Sequence, residues 1–106
     1  MEIFDDDQEL LSRMRLDDHV AFEIIFNRYV RQLYAYVSNK VISPNAQQKI
    51  LERVFVSLWN DRSSIGDRVL KDHLYTLTRY ELIRHIRQSD DFDEYLKSFK
   101  GFNQDE

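Results

Sequence analysis

Apolar residues recur at steps of three and four along most of this chain, and polar residues fill the positions between them. The longest run is Phe22, Ile25, Phe26, Tyr29, Leu33, Tyr36 and Val37, a continuous stripe on one side of a helix. It predicts a helix that starts at a cap on Asp17 or Asp18 and ends near residue 41. Before it, Leu10, Leu11 and Met14 form the apolar edge of a helix over about 5–16, opened by carboxylates that suit a helix N-terminus. After it, Ser43 and Pro44 mark a cap and a first helical position. The third helix therefore runs from there to about residue 61, with Ile50, Leu51, Val54, Phe55, Leu58 and Trp59 inward and Lys49, Glu52, Arg53, Val56 and Asn60 on the opposite face.

Residues 62–68, RSSIGDR, are the one internal stretch with loop character; Gly66 supplies backbone freedom and Asp67 a cap for the next helix. The fourth helix, about 68–88, turns Leu70, Leu74, Leu77, Ile83 and Ile86 toward the core and Lys71, His73, Arg79, Tyr80, Arg84 and Arg87 away from it. A short fifth helix over about 90–100 is capped by Ser89 or Asp90 and stopped by Gly101. Two glycines and one proline are too few for a fold of many strands and tight turns. The expectation is an all-α, compact bundle of about four core helices plus a short C-terminal one, forming one domain over 1–100 with a tail or linker start over 101–106.

Composition narrows the setting. A length of 106 residues suits one hydrophobic core. With no cysteine there are no disulfides or thiolate metal sites. No segment approaches the roughly 18 apolar residues of a membrane span, so no membrane insertion is expected, and the acidic start does not resemble a secretory signal. The cytoplasm is the expected location. Net charge is −4, but it is unevenly placed. Residues 1–18 carry −5 and residues 89–106 carry −4, while residues 19–88 hold eleven bases against six acids, or +5. Binding depends on the local patch rather than on the total.

Catalytic chemistry finds little footing. His19, His73 and His85 have no paired ligand spacing, and His73 and His85 stand more than three turns apart on one helix. No Gly-rich phosphate loop or nucleophile elbow is present. The carboxylates at Asp5, Asp6, Asp7, Asp17, Asp18, Asp90 and Asp91 all fall at predicted helix starts, where capping accounts for them. No enzyme activity, metal or cofactor is expected.

Four blocks in order carry a resemblance: Asp18, Ala21 and Phe22; Arg28 and Tyr29; Val54, Phe55, Leu58 and Trp59; then Leu74, Tyr75, Leu77 and Arg79, with a closing Arg87. Together they resemble region 2 of the extracytoplasmic-function group of bacterial sigma-70 factors, over roughly residues 10–88. The resemblance implies promoter recognition and melting as a subunit of RNA polymerase. The polar side of the third helix, Lys49, Glu52, Arg53, Val56 and Asn60, would dock on the clamp coiled coil of the core enzyme. The loop at Ser64, Ile65 and Arg68 would receive an extruded base of the partly single-stranded −10 element, and Lys71, His73, Arg79, Tyr80, Arg84 and Arg87 would hold that strand. Bases neutralise phosphate and flat side chains stack on unpaired bases, which is how single strands are gripped. Tyr75 is expected in the core more than at such a platform.

The chain departs from the family on its contact faces. Where the family usually presents Asp and then Gln on the third helix, Lys49 and Glu52 stand here, and the first is a reversal of charge. The family's frequent Trp before Leu74 is His73, and its frequent Asn after Arg79 is Tyr80. A sigma-like module that binds an anti-sigma factor or another regulator without driving initiation is the alternative expectation, and self-association through exposed aromatics is a third. Nothing after Asp91 resembles the family's −35-binding domain, so the chain is expected to be either a domain cut from a longer protein or a stand-alone module.

Overall fold

The computed structural model describes residues 6–88. They form four α-helices, α1 (Asp7–Arg15), α2 (His19–Ser38), α3 (Pro44–Asn60) and α4 (Leu70–Arg87), with a single 3-10 turn at Arg62–Ser64. The fold is all-α, and no strand occurs among the described residues. The predicted fifth helix and the tail lie outside them. α3 packs between α2 and α4, while α1 lies on α2 and also touches the 3-10 turn and α4.

Each helix begins where local chemistry satisfies its free N–H groups. Asp6 caps α1 by accepting from the N–H of Glu9, Asp18 caps α2 by accepting from Val20 and Ala21, and Ser43 caps α3 by accepting from Ala46 with Pro44 in the first turn. The Asp18 carboxylate is held below the usual carboxylate range, first by its hydrogen bond from Arg13 and then by those backbone donors, against an opposing desolvation. α4 differs. Its N-cap is Val69, with no side-chain cap, and Asp67 is exposed rather than capping. Gly66 at φ 68° turns the chain, and three further residues, the last of them the extended Val69, precede the first helical residue Leu70.

The α1–α2 corner is unusually tight. The N–H of Asp17 donates to Met14 O at 2.9 Å and that of Asp18 to Arg13 O at 3.1 Å, the paired bonds of a Schellman C-cap. The left-handed residue of that motif is Asp17, at φ 67°, where glycine usually stands. An Asp in this conformation costs about 1 kcal/mol relative to glycine.

The core is formed by Leu10, Leu11 and Met14 from α1, Ile25, Leu33 and Val37 from α2, Ile50, Val54 and Leu58 from α3, and Leu70 and Leu74 from α4. Gln47 is buried with them, and its Nε2 donates to Val41 O at 2.7 Å and Ile42 O at 3.2 Å, which fixes the α2–α3 linker. Tyr29 is buried too; its hydroxyl donates to Asp7 Oδ2, and Arg28 pairs with the other Asp7 oxygen at 2.8 Å. Burial and the Asp7 charge push the Tyr29 phenol up to about 12. On α4 the expected inward set needs correction. Leu82 is buried and Ile83 is half exposed, because the buried positions 70, 73, 74, 78, 81, 82 and 86 recur at steps of three and four along one side of the helix. At about 100° per residue, Ile83 falls on the opposite side.

Candidate functional site

Two surfaces stand out, on different helices. The first is the outward side of α4, where Arg79, Tyr80, Ile83, Arg84 and Arg87 are all exposed along its C-terminal half. Tyr80 is 62% exposed, and with Ile83, Arg84, Arg87 and Gln88 it lines a shallow cleft. Positions 80, 84 and 87 share one helix face, so the phenol ring lies beside the two guanidinium groups. Arg84 is partly engaged, with Nη1 3.2 Å from Glu81 Oε1, and Arg79 Nη2 lies 3.4 Å from Thr76 Oγ1. Glu81 is itself almost fully buried, so its carboxylate contributes little to the outer surface.

The same set of candidates extends to the loop, and here the structure divides it. Ser64 at the end of the 3-10 turn, Arg68 in the loop and Lys71 in the first turn of α4 are exposed. Ile65 is only 2% exposed and belongs to the core, so it cannot touch a strand of nucleic acid. Burying that large side chain stabilises the loop by about 2 kcal/mol, which outweighs leaving it at a surface. His73 is also corrected: it is buried beside Leu74 on the inward edge of α4. Its imidazole is pushed below the ordinary histidine range by burial, then by the nearby Arg68 charge, with Asp61 acting in the opposite direction. Tyr75 is committed to packing, edge-on to Tyr36 at 5.4 Å with its hydroxyl 3.3 Å from Gln32 Oε1.

The second surface lies between α2 and α3. Lys49, Glu52, Arg53, Val56 and Asn60 are exposed on the outer face of α3, as their spacing predicts. Beside them opens an apolar groove of about 390 Å³, walled by Phe22 and Phe26 from α2 and by Phe55, Val56 and Trp59 from α3. Its rings are interlocked: His19 stacks on Trp59 at 4.7 Å, Phe22 meets Trp59 edge-on at 5.5 Å, and Phe26 meets Phe55 at 4.8 Å. The Arg62 guanidinium lies over Trp59 at 4.1 Å. A second lobe of about 430 Å³ continues toward Val30, Tyr34 and Pro44. The two lobes share Phe26 and Glu52, and among the described residues Glu52 is the one acidic or strongly basic side chain lining either.

This groove was not visible in the sequence, where Phe22, Phe26 and Trp59 read simply as core. The signal that could have found it is the width of the α2 stripe. Val20, Phe26, Val30 and Tyr34 flank an already complete buried row, and on a helix with one packed face such surplus apolar residues reach the surface. Among the described residues no helix is long and apolar enough to cross a membrane. No family model, curated protein or solved structure matches the chain.

Proposed function

We propose that this chain is a sigma-factor region 2 domain that binds core RNA polymerase and grips the unpaired strand of a promoter −10 element, working in the cytoplasm by binding without catalysis. The observation that carries the reading is the α4 strip, where an exposed tyrosine stands among Arg79, Arg84 and Arg87 on a chain whose net charge is negative. A flat ring supplies a sequence-tolerant stacking platform and the guanidinium groups neutralise phosphates, a pairing suited to single-stranded nucleic acid. The loop contribution is reduced to Ser64 and Arg68, with Lys71 beside them, since Ile65 and His73 are inside. The exposed α3 face and the aromatic groove next to it suit the apolar side of a partner helix, which supports the clamp coiled coil as the protein contact.

The groove also favours a second reading, in which a regulator such as an anti-sigma factor occupies it and the chain never drives initiation. Lys49 decides between them. If the clamp presents bases to this face, as the family's acidic residue implies, an exposed Lys49 meets like charge, at a cost of up to several kcal/mol. The experiment is binding of the native chain and of Lys49→Asp to purified bacterial core RNA polymerase at two salt concentrations. Salt-sensitive binding by the native chain supports the sigma reading. No binding by the native chain with a gain in Lys49→Asp supports the regulator-binding reading, and no binding by either rejects the polymerase contact.

A further inference from the structure

The segment 61–69 that joins α3 to α4 has little structure of its own. Its internal support is the 3-10 turn, closed by the N–H of Ser64 donating to Asp61 O at 2.8 Å. The rest of its shape comes from α1 and the corner just beyond it. Arg15 Nη2 donates to Gly66 O at 2.7 Å, and Gln8 Nε2 donates to Arg68 O at 3.3 Å. Residues 8 and 15 are seven apart, so both stand on one face of α1 and reach carbonyls only two residues apart in the loop. At the loop's beginning Arg62 donates through Nε and Nη2 to Asp17 Oδ1, at 3.1 and 2.6 Å. Between these ties Ile65 is anchored in the core. Beginning, middle and end of the segment are thus each held; α3 helps at the beginning through Trp59 O, while beyond residue 64 the polar ties come from Arg15 and Gln8 of α1.

Asp17 gives the arrangement a second support. It keeps a left-handed backbone in which glycine would be at ease, and its carboxylate is the group that receives Arg62. Arg62 in turn lies over Trp59 and donates to Trp59 O at 2.7 Å, so the corner after α1 is linked to the end of α3 as well as to the loop.

We propose that α1 with Asp17 is a buttress that sets the conformation of loop 61–69, and that Arg15 and Gln8 are positioning residues for it. The functional consequence rests on the DNA reading above: a loop held in shape presents Ser64, Arg68 and Lys71 to a strand without the cost of ordering them on binding. Neither Arg15 nor Gln8 need touch the strand.

The test uses the full chain in three forms, native, Arg15→Ala and Arg15→Lys. Backbone NMR order parameters are read at Gly66, Asp67 and Arg68, and affinity is measured for a short randomised single-stranded DNA pool. In Arg15→Ala the loop order parameters are expected to fall from about 0.85 to below about 0.6 while those of α3 and α4 keep their native values. Affinity for the pool is expected to fall roughly three- to tenfold, and Arg15→Lys, which retains a donor of similar reach, to recover most of both effects. Native order at the loop in Arg15→Ala overturns the buttress. So does a uniform fall through α3 and α4, which would make Arg15 a general stability residue. A looser loop in a chain whose native form does not bind the pool upholds the buttress and rejects the DNA reading.

Discussion

His73→Phe separates a buried histidine's stability effect from any role in binding. His73 is 9% exposed, and among the described residues its Nε2 has no hydrogen-bond partner. A buried polar atom without a partner costs about 1–3 kcal/mol, which a phenyl ring of similar shape would not incur. Against that stands the slight overpacking from a larger ring, so a net gain of about 1 kcal/mol is expected at neutral pH, or about 5 °C in Tm for a domain of this size. The pH dependence fixes the cause. Burial and Arg68 hold the folded-state pKa below the ordinary 6.5, so on acidification the unfolded chain takes up the proton first. Stability from this group is complete above pH 6.5 and is lost as pH falls from there through the folded pKa. The assay is urea unfolding from about pH 8 to about pH 5.5, followed through Trp59, the one tryptophan in the chain. The native-minus-variant difference should grow steadily more unfavourable to the native chain below pH 6.5. Parallel pH profiles, or a variant less stable than native throughout, would refute the assignment of His73 as an unsatisfied buried base.

Three further outcomes are expected. Phe55→Ala removes a ring that is 4% exposed and packed edge-on against Phe22 and Phe26, at a cost of roughly 3–5 kcal/mol by chemical denaturation; native stability would contradict its place in the core. Replacing Arg79, Arg84 and Arg87 together with Ala should lower the slope of log K against log salt for single-stranded DNA by about 2, at ~0.7 per lost phosphate contact, and an unchanged slope excludes them as contacts. Asp17→Gly should leave stability within about 1 kcal/mol of native, since relief of the left-handed backbone offsets loss of the Arg62 pair, whereas Asp17→Ala keeps the strain, loses the pair and should be the less stable of the two.

The helices were legible because their signals are local. Ser43 before Pro44 gives the start of α3, and the carboxylates before α1 and α2 do become caps, each accepting the bonds such residues accept elsewhere. Legibility ended where a residue's surroundings come from other helices. Ile65 sits in a stretch rich in loop residues, and only the approach of α1 turns it inward. His73 carries a polar side chain at a position flanking Leu70 and Leu74, and residue type alone suggested solvent. The α2–α3 groove depends on how far apart two helices lie, which periodicity does not encode. The basic face of α4 was readable in part: Arg79, Tyr80, Arg84 and Arg87 are exposed as their spacing predicts, while of the three loop residues Ser64 and Arg68 are exposed and Ile65 is buried.

Lys49 and Tyr80, which differ from the sigma-factor pattern that the chain resembles, fall on exposed positions outside the packed rows of α3 and α4. Surface changes of this kind usually alter stability by no more than about 0.5 kcal/mol, so the faces proposed for contact can diverge while the fold stays fixed. Separability also has a measurable form. The α3 face and the α4 strip lie on different helices and share no groove or cleft residue, so perturbations at the two should not couple. Lys49→Asp combined with Arg84→Ala is therefore expected to change polymerase binding by the Lys49 effect alone and DNA binding by the Arg84 effect alone, each within about 0.5 kcal/mol of the single variants. A larger coupling term would mean that the two surfaces bind one partner together, and the division into a protein face and a DNA face would fall.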